Sequence, residues 1–156
     1  IPTSVNRAQL VCEAEQFIGA PYLWGGRAAT LKGLIASVDC SSLINLLYRA
    51  QGVEIPRDAH DQYLKMNPTQ FPLPGDPLYM TKKERMSHVI LYLGNNRFLE
   101  SPETGKKVRI LTWGKDLWEK EGRLHFKDRE GIYLHQYRTI PIPPQDFRCI
   151  EESHHL

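Results

Sequence analysis

The stretch PLYMTKKERMSHVILYLGNNRFLESPETGKKVRIL, from Pro77 to Leu111, decides the fold class because it alternates short apolar runs with turn-forming residues. Short runs rich in branched and aromatic side chains, bounded by glycine, asparagine or proline, are typical of β-strands. We predict strands at Pro77–Met80, Val89–Leu93, Arg97–Ser101 and Val108–Leu111. Because short connections join antiparallel neighbours, the stretch predicts an antiparallel sheet.

Helical patterns precede this sheet in the chain. Apolar side chains recur at helical spacing over Asn6–Ile18, and Gly19 ends the pattern. A second pattern covers Leu43–Ala50 and ends at Gly52, so Cys40 falls in the first turn of that helix. Helices first and strands afterwards predict an α+β domain with the helices packed on one face of the sheet.

The remaining stretches are less decisive. Asp58 is positioned to cap a short helix that should end near residues 67–68. Residues 113–128 are ambiguous, whereas residues 132–140 predict one more strand. The proline-rich residues beyond them predict no regular structure.

Length and composition restrict the class of protein. The 156 residues fit a single domain spanning 1–156, with a core large enough to need no disulfide or metal. A net charge of +2 without a basic block argues against a nucleic-acid partner. No apolar run approaches the roughly 20 residues needed to cross a bilayer. Because the chain begins with Ile1 rather than Met, we expect that a targeting segment or upstream domain precedes it. Separately, we expect the protein to be a monomer.

The cysteines direct attention to one position. Cys12, Cys40 and Cys149 form an odd set without CxxC spacing, which argues against a disulfide framework and a zinc site. Cys12 lies in a helical pattern as an expected core residue, and Cys149 lies in the C-terminal tail. Cys40 differs, because a thiol at a helix N-terminus faces unpaired N–H groups and the positive end of the helix dipole, which favour thiolate. Cys40 is therefore the candidate nucleophile.

A nucleophilic cysteine needs a base, and His88 is the best of the six histidines. It opens the apolar run 89–93, so we expect a rigid strand to hold it in place. The other five lie on a polar helix, in the ambiguous C-terminal third or in the tail: His60, His125, His135, His154 and His155.

Glu100 on the following strand is the candidate third group, which would orient His88. Side chains alternate along a strand, so the length of the hairpin loop decides the outcome. A two-residue loop would pair Leu91 with Glu100 and place Glu100 on the face opposite His88. A three-residue loop at 94–96 would pair Ile90 with Glu100 and place the carboxylate diagonal to His88 on the same face. We predict the three-residue connection or an equivalent bulge.

Five short pieces occur in order with sensible gaps: Gly19-Ala20-Pro21-Tyr22-Leu23-Trp24-Gly25-Gly26, Asp39-Cys40-Ser41-Ser42, Ile55-Pro56-Arg57-Asp58, Pro74-Gly75-Asp76 and Ser87-His88-Val89-Ile90-Leu91-Tyr92-Leu93-Gly94. Together they resemble the NlpC family of papain-like cell-wall cysteine peptidases, over about the first two-thirds of the chain. The resemblance implies a papain-like half-barrel sheet and a hydrolase that needs no cofactor. It also implies murein peptides as substrates, and it favours the bacterial cell envelope or secretion over the cytoplasm.

Substrate contacts also follow from the resemblance. Many relatives cut the bond between γ-linked D-glutamate and a diamino acid. In relatives that require a free N-terminal L-alanine, the acid before the cysteine and the serine after it hold the ammonium, which implies this role for Asp39 and Ser41. Tyr22 is similarly implied to line the active site. Asp39 has a simpler interpretation as a helix N-cap, and for Arg57 with Asp58 a local ion pair is the better interpretation.

The chain departs from the family pattern at three places. Ser42 replaces the usual glycine, the gap between Gly26 and Asp39 is longer, and Glu100 stands where histidine is most common. A carboxylate would hold an imidazolium more strongly, so the role survives the change of residue. Two alternatives to a peptidase remain open, an acyltransferase or amidase with the same Cys-His pair and a non-catalytic wall-binding module.

Overall fold

The computed structural model describes residues 5–19, 39–81, 86–101, 107–127 and 129–139, without the side chains of 129–132 and 134. Three helices come first among the described elements: α1 (Arg7–Glu15), α2 (Cys40–Ala50) and α3 (Ala59–Lys65). The strands follow: β1 (Asn67–Thr69), β2 (Pro77–Thr81), β3 (Met86–Gly94), β4 (Arg97–Glu100), β5 (Arg109–Thr112), β6 (Leu117–Lys120), β7 (Arg123–Phe126) and β8 (Arg129–Thr139). None of these helices is long and apolar enough to cross a membrane.

The described strands form one sheet in the order β5-β4-β3-β2-β8-β7-β6, and β1 pairs with β8 off this path. Every pairing between named strands is antiparallel. The helices precede the sheet in sequence, as the α+β interpretation requires. Both the fold class and the antiparallel sheet are therefore confirmed.

Alternation along the strands divides the core into two layers. Tyr79 and Val89 point into the layer that also contains the apolar faces of α1 and α2. Their neighbours Met80 and Ile90 point into a second layer, together with Phe126 of β7. Because β6 and β7 pack against β2 and β3 in this layer, the sheet folds back over its own second face, as in the half-barrel that the resemblance implied.

The helix ends agree with the sequence signals. Asn6 caps α1 by accepting a hydrogen bond from the N–H of Gln9 at 3.0 Å. Gly52 follows α2 with φ of 81°, a conformation that glycine adopts without a side-chain penalty. Cys40 is the first residue of α2, so its predicted place in the first turn is confirmed.

One prediction about secondary structure needs correction, and one stretch that the sequence left ambiguous is now assigned. The helix expected to end near residues 67–68 ends at Lys65, and residues 67–69 form β1. Pro68 fits in this strand because β1 lies outside the main strand order, where a missing N–H costs little. The ambiguous stretch 113–128 contains the hairpin β6–β7, with Glu121 and Gly122 both at positive φ in its turn.

Two predictions about single residues are also corrected. Asp58 occupies the N-cap position of α3 but makes no capping hydrogen bond through its side chain. Cys12 is buried in the core, as expected, but it is disulfide-bonded, so the argument against a disulfide is wrong for this residue. An odd number of cysteines excludes complete pairing, yet it leaves room for a single bridge.

Candidate active site

The start of α2 holds Cys40 in a rigid setting. Asp39 accepts a hydrogen bond from the backbone N–H of Ser42 at 2.8 Å, and the Ser42 hydroxyl accepts one from the backbone N–H of Asp39 at 2.9 Å. These reciprocal bonds form a capping box. Ser42, which departs from the family pattern, therefore has a structural role that glycine could not fill. Cys40 itself is a free, partly exposed cysteine.

His88 contacts this cysteine from the sheet. It is the third residue of β3, is 7% exposed, and lies within interaction range of the Cys40 side chain. The Phe126 ring meets the imidazole edge-on at a centroid distance of 6.4 Å. The candidate nucleophile and the candidate base, which lie far apart in the sequence, are thus brought together where α2 begins.

The hairpin between β3 and β4 decides where Glu100 lies. Asn95 and Asn96 form a two-residue turn with φ of 52° and 60°, but an irregularity at Leu93 shifts the register so that Leu91 pairs with Leu99. Glu100 therefore lies opposite Ile90, the register expected for a three-residue loop, so the predicted equivalent bulge is confirmed. Glu100 Oε2 lies 2.7 Å from His88 Nε2.

The environment of His88 stabilises its protonated form. Burial alone would lower the pKa of His88, but the hydrogen bonds and negative charges of Cys40 and Glu100 outweigh it and raise the pKa to about 9. The imidazolium is therefore favoured near neutral pH. This is the state that pairs with a cysteine thiolate.

Arg109 is part of the site and was not predicted from the sequence. It lies directly across from Glu100 in the β4–β5 pair, and its Nε and Nη2 donate to Glu100 Oε1 at 3.0 and 2.9 Å. The connection from Ser101 to Val108 is too long for its length to fix the register of β5, so no sequence signal identified this contact. A basic residue in the strand after a buried glutamate was the available hint.

The second predicted cluster contains Asp39 and Ser41, beside Cys40. Arg57 donates to a carboxylate oxygen of Asp39 and to the Ser41 hydroxyl, the latter at 2.9 Å. Burial alone would raise the pKa of Asp39, but hydrogen bonds from Arg57 and Ser42 outweigh it and hold the pKa below its usual value. Asp39 is therefore both the N-cap of α2 and the ionised partner of Arg57.

Two further predictions concern the Arg57–Asp58 ion pair and Tyr22. Arg57 lies 3.7 Å from Asp58, which confirms the local ion pair at weak geometry. Tyr22 lies outside the described residues.

Gln62 was not predicted from the sequence. It is fully buried and donates to the Ser41 carbonyl at 2.9 Å, which holds α3 against the start of α2. Within the described ranges, no group of three or more His, Cys, Asp or Glu side chains could hold a metal ion.

The fold and this geometry define the class of protein. A free cysteine that begins a helix and contacts a histidine on an antiparallel sheet is the arrangement of the papain-like α+β domains. The model of the NlpC/P60 family matches residues 19–127, more than half of the chain. The chain belongs to the NlpC/P60 family.

Individual relatives agree with this assignment. The gamma-D-glutamyl-L-lysine dipeptidyl-peptidase of Bacillus subtilis (strain 168) is 40% identical over 110 residues, which cover 67% of this chain and 35% of that protein. The murein DD-endopeptidase MepH of Escherichia coli (strain K12) is 30% identical over 112 residues, which cover 67% of this chain and 40% of that protein. The chain thus matches less than half the length of either relative.

A solved structure supports the fold independently. The crystal structure of an NlpC/P60 family protein from Bacillus cereus ATCC 10987 superposes with a TM-score of 0.62 at 25% identity. The match covers 72% of this chain and 36% of that chain. The described helices and sheet are therefore those of an NlpC/P60 domain.

Proposed function

We propose that the chain is a cysteine peptidase that hydrolyses murein peptides, at the bond between γ-linked D-glutamate and a diamino acid. The observation that carries this proposal is the chain of contacts from Cys40, the first residue of α2, to His88 and from His88 to Glu100. These are the three groups that acyl-enzyme chemistry requires: a nucleophile, a base and a group that orients the base.

The reaction follows from the positions of these groups. The Cys40 thiolate attacks the scissile carbonyl carbon, and backbone N–H groups at the start of α2 stabilise the oxyanion. When the C–N bond breaks, the His88 imidazolium gives its proton to the leaving amine, which leaves a thioester on Cys40. Neutral His88 then takes a proton from water as the water oxygen attacks the thioester. The acid product leaves, and the thiolate–imidazolium pair is restored.

The choice of bond rests on relatives and is therefore the part to test. The B. subtilis relative is named for the γ-D-glutamyl-L-lysine bond, whereas the E. coli relative is named a DD-endopeptidase. The higher identity to the B. subtilis protein favours the γ-D-glutamyl bond. A cross-linked dimer of L-Ala-γ-D-Glu-meso-diaminopimelate-D-Ala peptides contains both the γ-D-glutamyl bond and an internal D,D bond, so mass spectrometry of its products distinguishes the two cleavages.

The decisive experiment follows hydrolysis of this peptide by the wild type and by two variants. Cys40→Ala should abolish cleavage, and His88→Asn should reduce kcat/KM by about 100-fold or more, since general acid–base catalysis contributes 10²–10⁴-fold. His125→Asn is the matched control, because His125 stacks on Trp118 away from Cys40 and should leave activity unchanged. Cleavage that survives Cys40→Ala would contradict the proposal.

The same experiment tests the alternatives. Transfer of the acyl group to an added amine without hydrolysis would identify an acyltransferase. Release of an amide-linked group other than a peptide would identify an amidase. Binding of the peptide with no cleavage by folded wild-type protein would identify a wall-binding module.

The proposal extends to the peptide's amino end, which we place against Asp39, Ser41 and Tyr22. Asp39 remains ionised, as binding of an ammonium requires, but Arg57 already neutralises much of its charge. Asp39→Asn separates the two roles, because asparagine is also a good N-cap and loses only the charge.

If Asp39 binds the substrate ammonium, the wild type should prefer a free amino terminus over an acetylated one. We expect a preference of about 10-fold, the size of one charge-assisted hydrogen bond, and Asp39→Asn should remove it. Equal cleavage of both peptides by the wild type would mean that Asp39 does not bind the substrate and serves only as the N-cap of α2 and the partner of Arg57.

A further inference from the structure

The geometry points to Arg109 as a positioning residue that holds Glu100 ionised and aims one carboxylate oxygen at His88. This inference rests on the proposed function of the Cys40–His88 pair. The two oxygens of Glu100 contact different described residues: Oε1 accepts hydrogen bonds from Nε and Nη2 of Arg109, and Oε2 contacts His88 Nε2. The arginine touches neither the nucleophile nor the base, so it acts on them through the glutamate.

Arg109 compensates the charge of the buried Glu100 carboxylate. Glu100 has no exposed surface, and a buried carboxylate stays ionised only when partners compensate its charge. His88 can compensate it only while protonated, and the proposed reaction makes His88 neutral after the leaving amine takes its proton. Arg109 keeps its charge at every step because guanidinium does not lose its proton in proteins. Glu100 can therefore remain a carboxylate throughout the cycle.

Arg109 also orients the Glu100 carboxylate. Two N–H groups of the planar Arg109 guanidinium converge on Glu100 Oε1 and fix its position relative to that plane, whereas a single ammonium would leave the carboxylate freer to turn. With Oε1 held in this way, Oε2 faces the imidazole at 2.7 Å. The Arg109 side chain is 31% exposed and covers the fully buried glutamate. It therefore also limits the access of water to the carboxylate.

Few other groups can perturb His88 from the described elements packed around it. Cys40 faces it from α2, Glu100 from β4, Phe126 from β7, and Met80 pairs with it from β2. Only the Cys40 and Glu100 side chains among these can carry a negative charge. A change at Arg109 should therefore reach His88 through Glu100.

The test measures the rate at which iodoacetamide alkylates Cys40, mapped by mass spectrometry of the Cys40 peptide, between pH 5 and 10. This readout needs no peptide substrate. Arg109→Gln should slow alkylation at pH 7 by about 10-fold, because Glu100 then loses its charge or turns away from His88 and less of the thiolate–imidazolium pair forms. This effect should outweigh the removal of a nearby cation, which alone would raise the pKa of His88, so the transition of His88 should move to lower pH. A transition moved to higher pH would overturn the inference. Arg109→Lys, which keeps the charge but loses the two-point grip, should show an intermediate loss of about threefold.

A double-mutant cycle with Glu100→Gln decides whether the effect passes through the glutamate. In that background, Arg109→Gln should change the alkylation rate by less than about twofold. Arg97→Gln is the matched control, because Arg97 belongs to the same sheet but pairs with Glu15 at 3.6 Å in a partly exposed position. It should leave the rate and its pH profile unchanged.

Each outcome decides the inference. An undiminished effect of Arg109→Gln in the Glu100→Gln background, or a fall in thermal stability with an unchanged pH profile, would overturn it. If Arg109→Gln does not fold, the intermediate profile of Arg109→Lys decides in its place, and a wild-type profile would overturn the inference. If murein peptides are not cleaved but the coupling is found, the proposed substrate fails while the role of Arg109 stands.

Discussion

Two arginine–carboxylate pairs in this protein are chemically alike but serve different ends. Arg7 and Asp76 are both 1% exposed and lie 2.7 Å apart, and Asp76 also accepts from Thr139 Oγ1 and from the backbone N–H of Leu73. This pair ties α1 to the loop before β2 and to the end of β8. Within the described part of the chain, the Asp76 carboxylate contacts scaffold groups that do not titrate near neutral pH.

Arg109 and Glu100 form the second pair, and its difference lies in one oxygen. Glu100 Oε2 contacts His88, whose ring contacts Cys40 in turn. A buried ion pair can influence a titratable group when one of its carboxylate oxygens contacts that group, as Oε2 of Glu100 contacts His88. The comparison therefore predicts that loss of the first pair costs stability, whereas loss of the second mainly changes the state of His88.

The largest effect is expected at the scaffold pair. Arg7→Met should reduce the free energy of unfolding by about 3–5 kcal/mol, because it leaves the buried Asp76 carboxylate without its cation. Chemical denaturation measures the loss, and the alkylation rate of Cys40 in the folded protein should be unchanged. A loss below about 1 kcal/mol, or a slower Cys40, would remove the distinction between the two pairs.

The next effect concerns pH and belongs to the site pair. The pKa of His88 is raised in the folded protein to about 9, above the 6.5 that is usual for histidine. The stabilisation is therefore complete below about pH 6.5 and is lost as pH rises through about 9. The loss should be at most roughly 3 kcal/mol, at 1.36 kcal/mol per pKa unit.

Denaturation curves of the wild type and of His88→Asn across this range measure that loss. The variant should lack the fall in stability between about pH 6.5 and 9, and the difference between the two proteins isolates the contribution of His88. Parallel curves for both proteins would mean that His88 is not stabilised in its protonated form.

Glu100→Gln should have an intermediate effect, and on catalysis more than on stability. Glutamine keeps the shape of the side chain but removes the charge that stabilises the imidazolium, so kcat/KM should fall by about 10–100-fold, or roughly 1.4–2.7 kcal/mol. The pKa of His88 should fall as well, which NMR titration of the ring measures. Asp76→Asn is the comparison variant, and it should lower stability without moving the titration of His88.

The two pairs also differ in how much of them the sequence could predict. The place of Cys40 at a helix start and the parity that joins Glu100 to His88 depend on local spacing, and both predictions hold for the described structure. The hairpin is short, so its register follows from one choice of loop or bulge. Local periodicity was sufficient for this part of the site.

The arginines could not be predicted in the same way. Arg7 meets Asp76 across 69 positions, and Arg109 meets Glu100 across a connection too long to set the register. Local patterns carry no information about which strand or helix a distant residue will meet. For the same reason β1 could not be predicted, because it pairs with β8, about 70 positions later in the chain.

The smallest effect is expected at a third arginine–carboxylate pair, which serves as the control for burial. Arg49 and Glu54 lie 3.1 Å apart, but their side chains are 48% and 68% exposed. Arg49→Met, the same substitution as at Arg7, should cost at most about 1 kcal/mol, including the loss of a cation from the last turn of α2. Part of that cost should disappear in high salt, because ions screen an exposed pair and not a buried one. A cost equal to that of Arg7→Met would mean that burial does not separate the scaffold pair from an ordinary surface contact.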